Sequence, residues 1–451
     1  MNNKRFVIKF DFVRDRQDTK GQIKTVAFIN LQANSEQRKM TELKSIFASF
    51  PAKEELLRWY KSQNPTKVPD INGHIHSPHS FSAFSNIEQP FEMAKTEGVS
   101  VLGINDFYTT DGYDEFAEMA KKYKVFPLFN IEFMALQKDL QEAGIRVNDP
   151  SNPGRTYFSG KGLCQPAKMS STSFKKIQDL QEESNCQTYE MVDKLNAYFT
   201  EKEIDIRFDA KELQTRFAKN LFRERHIAQA IRVAVYEKEG SDLGRAMLLN
   251  KIFDGKDIKS AIDDVAGLEN EIRGCLLKSG GAAFVQEDPK AFLSLEEVQE
   301  LIIDAGGIPC YPVLLDFGKD NFTDYEADKE KLLAELKSKN VSCIELIPGR
   351  NKFDILKNFV QFFNQNGFVI TFGSEHNTPK LDPIKIIAGG GVELDDELKT
   401  INYEGAAVVA AHQYLIANGE EGYLKNGTAK TNEKAYFVEL GKAVIAKFLA
   451  E

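Results

Sequence analysis

Cysteine is scarce in this 451-residue chain, and its distribution argues against a disulfide framework. The cysteines are odd in number, scattered and without a C-x-x-C pair; they stand at positions 164, 186, 275, 310 and 343. This pattern is typical of reduced thiols in a cytosolic protein. We therefore expect a cytoplasmic location.

Long apolar runs and an excess of basic residues are missing as well. No stretch approaches the roughly 18 consecutive apolar residues of a membrane span, and "MNNKRFVIKFDFVRDR" at the start has no apolar segment of signal-peptide length. The formal net charge of −9 argues against a protein that binds the backbone of long nucleic acids. We expect neither a membrane nor a long nucleic acid as a partner, and the oligomeric state stays open.

Composition and pattern predict a globular chain of several segments. Hydrophobic residues make up 42% and charged residues 28%, which provides ample material for a core. The beginning alternates like a strand hairpin in "RFVIKFDFV" and "KTVAFINLQ", and "QNPTKVPD" follows as a linker. The predicted segments are an N-terminal α+β appendage (1–67), the first part of a barrel (68–165), a mostly helical insertion (166–293), the second part of the barrel (294–385) and a C-terminal helical tail (386–451).

Short apolar strands alternate with helices on both sides of the insertion. "DINGHIH", "VSVLGIND" and "VFPLFNIE" precede it, and "GGIPCYPVLL", "VSCIELI" and "GFVITFGSE" follow it, with helices over 323–339 and 353–366. Alternation of this kind predicts βα units and a parallel sheet. With a seventh strand at "RTYFSG", the fold class is α/β: a distorted seven-stranded (βα)7 TIM-like barrel with a helical insertion and extra terminal segments.

One helix start and two tail helices complete the pattern. "SLEEVQELIIDAGG" begins with a capping box from Ser294 to Glu297 and ends in glycine. The tail predicts amphipathic helices near 402–418 and 431–450. His412 lies on the first of them, where we expect a packed or surface residue.

Three of the six histidines lie within "NGHIHSPHS", residues 72–80. Residues two apart on a strand face the same side, so His74 and His76 can reach one ion together, and Gly73 allows close backbone approach. Neutral imidazole is the commonest nitrogen ligand of Zn, Mn or Fe. Histidines two apart also occur on exposed strands, so a structural role remains open.

Further acids and imidazoles stand at or near the ends of predicted strands, where barrel active sites lie. They are Asp106 in "VSVLGIND", Glu132 in "VFPLFNIE", and Glu375 and His376 in "GFVITFGSEHN". His226 belongs beside them, although "FRERHIAQAI" is a predicted helix start within the insertion. Such a set suits a two-metal hydrolytic site, in which one carboxylate bridges the ions and a shared water becomes the nucleophile. The alternative roles are helix capping for Asp106 and Glu132, and packing or capping for His226.

This ordered set resembles the PHP superfamily, named for polymerase and histidinol phosphatase domains, whose members are metal-dependent phosphoesterases on a distorted seven-stranded barrel. The resemblance covers residues 68–380. It is greatest for the branch that contains nucleoside 3′,5′-bisphosphate phosphatases and small-RNA exonucleases. That branch has a helical insertion with an H-I-A type motif, matched here by "RHIAQAI", and a stretch that resembles "LKSGGAAFVQEDPKAFLSLEEVQELIIDAGGIP".

Three ligand positions of the family hold aromatic residues here. In "HIHSPHSFS", Phe81 stands where the family motif H-x-H-T-x-x-S-D-G has aspartate. Phe107 replaces the histidine of T-D-H, and Tyr311 replaces the histidine of A-H-P. Phenylalanine cannot bind a metal, and tyrosine is a poor substitute for neutral imidazole. Of the branch's three ions, we expect the third to be lost and one or two divalent ions (Mn, Zn or Fe) to remain.

The last motif and the insertion also depart from the family. S-D-x-H becomes "SEHN", so Glu375 replaces aspartate, and either His376 is shifted or Asn377 occupies the ligand position. The arginine two residues before the insertion histidine is absent, with Arg223 and Arg225 on either side of that position.

The resemblance implies roles for particular residues. The implied metal ligands are His74, His76, Asp106, Glu132, His226, Glu375 and His376. The implied catalytic residues are Asp106, Glu132 and Arg225. The implied substrate-binding residues are Arg155, Lys161, His79 and Tyr311. "GRTYFSGKGL" fails the Walker A pattern, so Arg155 and Lys161 are either phosphate-binding cations or parts of a solvated loop. His79 is either a partner of a ligand or a surface residue.

The predicted function is a metal-dependent phosphoesterase that acts on a small molecule or a short nucleotide through metal-activated water. One alternative is a protein that binds a metal or a ring-bearing ligand on the substituted site without turnover. Another keeps the metal and hydrolyses a bond other than a phosphoester.

Overall fold

The computed structural model describes residues 45–64, 67–315 and 322–451. Its main sheet consists of β1 (Asp70–Ile75), β2 (Val99–Phe107), β3 (Phe126–Leu136), β4 (Arg155–Lys161), β5 (Ile308–Val313), β6 (Cys343–Leu346) and β7 (Val369–Phe372). The helices up to the end of the insertion are α1 (Lys53–Gln63), α2 (Glu88–Glu97), α3 (Tyr113–Tyr123), α4 (Lys138–Glu142), α5 (Ser171–Glu201), α6 (Ala210–Phe217), α7 (Glu224–Lys238), α8 (Asp242–Ile252) and α9 (Val265–Ile272). The later helices are α10 (Leu295–Asp304), α11 (Lys329–Ser338), α12 (Phe353–Gln365), α13 (Asp396–Ala417) and α14 (Lys434–Ala450).

The seven strands stand in chain order, and each is hydrogen-bonded to the next. A bridge between Ile75 and Glu375 brings the last strand back to the first. Helices α2 and α3 follow β1 and β2, and α11 and α12 follow β5 and β6. This nearly closed α/β barrel confirms the predicted TIM-like fold class, including the strand at "RTYFSG".

The expectation of a parallel sheet is wrong at β4. This strand runs antiparallel to both neighbours, with Ser159 opposite Glu132 of β3 and opposite Cys310 of β5. A parallel pair requires a crossover that returns the chain to the opposite end of the sheet. Here the N–H of Gln137 donates to the carbonyl of Gly154 across the loop, 2.9 Å away, so the chain re-enters the sheet where β3 left it.

The seam between β1 and β7 is closed by backbone and side chain together. The N–H of His76 donates to the carbonyl of Glu375 at 2.9 Å. Asn402 on α13 spans the seam with its amide, since Nδ2 donates to the Ile71 carbonyl (3.2 Å) and Oδ1 accepts the Phe372 N–H (2.8 Å). Buried edge groups must find partners, and α13 supplies them.

Helix α13 is not the amphipathic tail helix that the sequence predicts. It begins at Asp396 and is buried on nearly all sides, which is typical of a helix inside a core. Gln413 pairs with backbone groups of β3, accepting the Phe129 N–H and donating to the Pro127 carbonyl. His412 is buried as well, so the packed alternative applies to it. The second tail helix, predicted over 431–450, is α14.

The helices between β4 and β5 have a hydrophobic core of their own. Their fully buried side chains come from α5, α7, α8 and α9 and include Leu195, Phe199, Ile231, Leu249 and Leu268. A π-helical turn, Arg273–Leu277, ends this helical run. The boundaries 166–293 of the insertion stay a prediction.

Other local expectations had mixed outcomes. The capping box of Ser294 and Glu297 is present in α10. The helix predicted over 323–339 starts only at Lys329, while the one predicted over 353–366 matches α12 within a residue. Most of the predicted N-terminal appendage lies outside the described residues. No helix in the described ranges is long and apolar enough to cross a membrane.

Replacing Gly405 by alanine should destabilise the packing of α13 on the barrel. A Cβ there would lie 1.8 Å from the carbonyl oxygen of Ile370 in β7, so helix and strand must separate. Overpacking of this kind costs about 1–3 kcal/mol, and backbone on both sides places this case at the upper end. Urea denaturation should show the loss, whereas Gly274→Ala, where a Cβ meets nothing within 4 Å, should show none.

Stability should fall on acidification because of His412. Its Nε2–H donates to the Gly306 carbonyl (2.6 Å), its Nδ1 accepts the Tyr423 N–H (2.9 Å), and burial lowers its pKa to about 4. Between pH 6.5 and 4 the His412 imidazole binds a proton in the unfolded state but not in the folded state. This difference removes about 3 kcal/mol from the free energy of unfolding. Urea titrations across this pH range should be less pH-dependent for His412→Gln. An equal slope for both proteins would contradict this.

Candidate metal centre

Imidazoles and carboxylates collect at one mouth of the barrel, because the C-terminal ends of its parallel strands meet there. His74 lies on β1 and His76 just after it; Glu132 lies on β3, Glu345 on β6, and Glu375 follows β7. The first four side chains are at most 3% exposed, so their polar atoms depend on one another rather than on water.

The donor atoms of this group face one point. Nε2 of His74 lies 3.3 Å from Nε2 of His76. Oε2 of Glu132 lies 3.8 Å and 3.4 Å from those two nitrogens, and Oε2 of Glu375 lies 3.6 Å from the nitrogen of His76. Ligands about 2.1 Å from a tetrahedral ion stand about 3.4 Å apart, so the spacing fits a single ion. The buried Oε2 of Glu132 makes no well-directed hydrogen bond with any described residue, as expected of an atom reserved for a ligand.

The electrostatics of the group favour a bound cation. Burial opposes a charge on His76, but the carboxylates of Glu132 and Glu375 outweigh it and raise the pKa of His76 to about 9. Burial raises the pKa of Glu132. Carboxylates that are held out of water in this way gain from any positive charge placed between them and the imidazoles.

Glu375 is held in a strained turn. It and His376 have φ angles of 70° and 53°, a left-handed conformation that costs non-glycine residues of the order of 1 kcal/mol or more each. Arg350 Nη1 donates to Oε1 of Glu375 (3.1 Å), and Asn377 Nδ2 donates to Oε2 (2.5 Å). Burial opposes ionisation of Glu375, but Arg350 and His76 outweigh it and hold its pKa well below the usual range. The turn thus presents a carboxylate to the donor group.

His376 does not join this group. Its Nε2–H donates to the Asp382 carbonyl (2.7 Å), its Nδ1 pairs with Ser374 Oγ (2.7 Å), and its ring stacks on Phe84. Both nitrogens are therefore occupied elsewhere, and the adjacent carboxylate of Glu375 is the one that faces the histidines.

Asp106 lies beside the donor group rather than in it. Its Oδ1 accepts the Ser77 N–H and the Ser80 hydroxyl, each at 2.7 Å, and its Oδ2 accepts the Ser77 hydroxyl at 2.5 Å. Ser80 in turn contacts Nδ1 of His76 at 3.3 Å. The geometry suits a carboxylate that fixes the loop after β1 and, through it, the imidazole plane of His76.

The two other candidate histidines also lie apart from the donor group. His226 stands in the first turn of α7, where its Nδ1 accepts the N–H of Arg223 and burial lowers its pKa to about 4. His226 therefore has the capping role that was the alternative to metal binding. His79 is half-buried, with Nδ1 near Asn220 Oδ1 (3.3 Å) and Nε2 near Lys219 Nζ (3.4 Å), so it contacts the insertion.

The sequence reasoning missed the residue behind His74, which is Glu345. Its Oε1 lies 2.9 Å from Nδ1 of His74, and its Oε2 accepts Lys161 Nζ at 2.5 Å. Lys161, predicted as a phosphate-binding cation or a loop residue, is instead a buried part of β4 with 1% exposure. An acid within the apolar strand "VSCIELI" was the available signal for Glu345, since a buried carboxylate needs a partner.

Tyr311 and Arg155 stand away from the donor atoms. Tyr311 is buried, and its hydroxyl donates to Oε1 of Glu326 at 3.1 Å. Side chains alternate along β5, so Tyr311 points away from the side that carries Cys310. Arg155 pairs with Glu287 and lines the cavity described below.

Two of the aromatic residues at the expected ligand positions pack directly on a donor histidine. The rings of Phe81 and Phe107 stack on His76 with centroid distances of 5.0 and 5.6 Å, and they stack on one another at 5.3 Å. The guanidinium of Arg225 lies 4.8 Å from the Phe81 ring centroid. These rings therefore fix the imidazole plane and hold an arginine beside it.

A cavity of about 750 Å³ opens between the barrel mouth and the insertion. Glu132, Glu345 and Glu375 line it from the barrel. Its cationic lining residues are Arg155, Arg223, Arg225, Arg273, Lys278 and Arg350. The volume is in the range of small-ligand sites.

One carboxylate in this cavity is shared by three arginines. Glu224 lies 2.8 Å from Arg273, 3.4 Å from Arg223 and 3.9 Å from Arg225. Burial opposes ionisation of Glu224, but Arg273 and Arg223 outweigh it and lower its pKa. Burial also lowers the pKa of Arg225 to about 10. Over the whole lining six acids balance the six cations, but beside Glu224 three arginines face one carboxylate, and this local excess of positive charge suits an anionic ligand.

Comparison with known proteins gives fold neighbours and no family. No protein-family model matches the chain, and no curated protein matches it. Among solved structures, it is similar to a protein of Bifidobacterium adolescentis described as a metal-dependent phosphoesterase, with 15% identity, a TM-score of 0.47, and coverage of 75% of this chain and 96% of that one. An amidohydrolase from Chromobacterium violaceum, with sulfate bound and no metal, has 17% identity, a TM-score of 0.44, and coverage of 70% and 93%.

Proposed function

We propose that this protein is a hydrolase that uses one divalent metal ion to cleave a phosphoester of a small molecule or short nucleotide. The observation that carries the proposal is the convergence of His74, His76 and Glu132, whose ligand atoms all lie within 4.8 Å of one another. Glu375 supplies a fourth donor at the same point.

The donor set restricts the ion. Two imidazole nitrogens with carboxylate oxygens suit Zn, Mn or Fe rather than the all-oxygen sites of Ca. We propose one ion rather than two, because Phe81 and Phe107 fill the space beside His76 with phenyl rings. A divalent ion supplies Lewis acidity and lowers the pKa of a water molecule to about 7 in well-studied zinc enzymes.

The chain's own residues bind and orient the substrate. Arg225 is held between Phe81 and the carbonyl of Asn377, beside the donor group, where its guanidinium can stabilise charge that develops on phosphate oxygens. Arg223 and Arg273, which with Arg225 outnumber the carboxylate of Glu224, can attract an anionic substrate to this side of the cavity. These charges favour a phosphoester over a neutral amide or lactone.

A second candidate is a metal-binding protein without turnover. The stacking of Phe81 and Phe107 on His76 supports it, because the rings occupy space beside the ligand that a second ion or a substrate would otherwise use. This candidate predicts a bound ion and no hydrolysis of any phosphoester.

Replacing His76 by alanine should abolish both metal content and hydrolysis. Loss of a partner that only supports a ligand typically costs about 10–100-fold in metal affinity or activity, so loss of a ligand should cost at least that. Elemental analysis of protein purified without chelator, with bis(p-nitrophenyl) phosphate and p-nitrophenyl phosphate as substrates and added Mn²⁺, tests both. Cys186→Ala, which removes an exposed thiol, serves as the control for adventitious metal.

The outcomes separate the two candidates. Full activity of His76→Ala would refute the metal-hydrolase proposal. A wild type that holds one ion but cleaves neither substrate would favour the non-catalytic candidate.

Replacing Arg225 by methionine should lower kcat by about 10²–10³-fold, the usual cost of one donor to developing charge, and leave metal content unchanged. Arg216→Met is the matched control, because Arg216 is an exposed arginine of the insertion that pairs with Glu237 outside the cavity. Unchanged kcat in the Arg225 variant would exclude its proposed role.

A further inference from the structure

His74 is in contact with a buried pair of opposite charges. Glu345 lies between Nδ1 of His74 (2.9 Å) and Nζ of Lys161 (2.5 Å), and each of the three side chains is about 1% exposed. Lys161 is on β4 and Glu345 on β6, so the pair crosses the barrel interior past β5. A buried ion pair at this position calls for an explanation beyond stability, since such pairs contribute little net stability.

We infer that Glu345 is a positioning residue, which keeps a proton on Nδ1 of His74 and thereby aims the bare Nε2 at the metal centre, while Lys161 keeps Glu345 in place. The inference rests on the proposed function, because it assigns His74 as a ligand through Nε2.

The hydrogen bonds determine where the proton lies. Lys161 donates to Glu345, so Oε2 acts as an acceptor, and a carboxylate paired with a lysine offers Oε1 as an acceptor too. Nδ1 of His74 must then be the donor. In neutral imidazole only one nitrogen carries hydrogen, so Nε2 has a free lone pair. That nitrogen is the one that faces His76 and Glu132.

Asn105 fixes the plane of the same ring. Its Nδ2 lies 3.2 Å from Nδ1 and 3.0 Å from Nε2 of His74. A point nearly equidistant from both nitrogens at this range lies over the ring face, since in the ring plane it would collide with the carbon between them. Its Oδ1 accepts Lys161 Nζ at 3.2 Å, which fixes the orientation of the amide. Lys161 therefore holds both Glu345 and Asn105, and each of these side chains contacts His74.

Two double variants separate this role from a merely structural one. Lys161→Met/Glu345→Gln and Lys161→Met/Glu345→Leu both remove the pair of charges, which avoids leaving one charge buried alone. They differ in one respect: glutamine retains an oxygen that accepts the Nδ1–H of His74, and leucine does not. If the pair serves only to join β4 and β6, both variants should behave alike.

The first readout needs no metal. Protein labelled with ¹⁵N in its histidine rings, stripped of metal, should show His74 with Nδ1 protonated and Nε2 bare in the wild type and in the glutamine variant. The leucine variant should lose this tautomer preference. The second readout is the affinity for Zn²⁺, measured by competition with a chelator, where the leucine variant should bind about 10–100-fold more weakly than the glutamine variant.

Glu269→Gln provides the control for loss of a buried carboxylate. Glu269 is 5% exposed and pairs with Arg232 at 2.7 Å within the insertion, away from His74. It should leave both the His74 tautomer and Zn²⁺ affinity unchanged. If both double variants unfold, the spectrum of the folded wild type still tests the inference, because a proton on Nε2 instead of Nδ1 of His74 would contradict it.

The outcomes distinguish the inference from the proposed function. A wild type without Zn²⁺ affinity refutes the metal centre, while the tautomer spectrum still tests the contact to Glu345. A wild type that binds Zn²⁺, together with equal affinity and equal spectra in the two double variants, refutes the positioning role and leaves the metal centre intact.

Discussion

Two imidazole nitrogens that face each other 3.3 Å apart constrain the whole barrel mouth. Two lone pairs at this distance repel and two hydrogens do not fit between them, so either one ring donates its Nε2–H to the other or both lone pairs face a cation. The neighbouring carboxyl groups of Glu132 and Glu375 are largely withdrawn from water, where an uncompensated negative charge is expensive. A single shared cation would satisfy both imidazoles and both carboxylates at once, which a hydrogen between the two rings does not, and the proposed metal site rests on this difference.

Several surrounding residues hold His74 and His76 in this arrangement. Asp106 orders the serine loop beside His76, and Glu345 contacts His74 from within the barrel. Phe81 and Phe107 then narrow the mouth, and Arg225 adds a charge on their side. In the proposed function this leaves one position for a metal ion, with an arginine nearby.

Sequence patterns predict the barrel and its mouth because both follow from local periodicity. Short apolar strands between helices indicate the fold, and polar residues at strand ends bring His74, His76 and Glu132 to one place. Local periodicity does not predict which of two adjacent residues, Glu375 or His376, faces the site. The turn after β7 presents Glu375 and turns His376 towards Asp382. The pairing of Lys161 with Glu345 depends on strands that are distant in sequence, so no local pattern contains it.

The long insertion between β4 and its partner β5 has a consequence for folding during synthesis. Its partner β5 follows only after residues 162–307, which a ribosome needs on the order of ten seconds to synthesise. During this time half a barrel has an open edge, and such edges invite pairing with other chains. The insertion has its own hydrophobic core and can fold in the interval, which shortens the loop that must close. Until Glu345 is synthesised, Lys161 on this edge strand has a charge without its partner, and charged side chains on an open edge disfavour pairing with another chain.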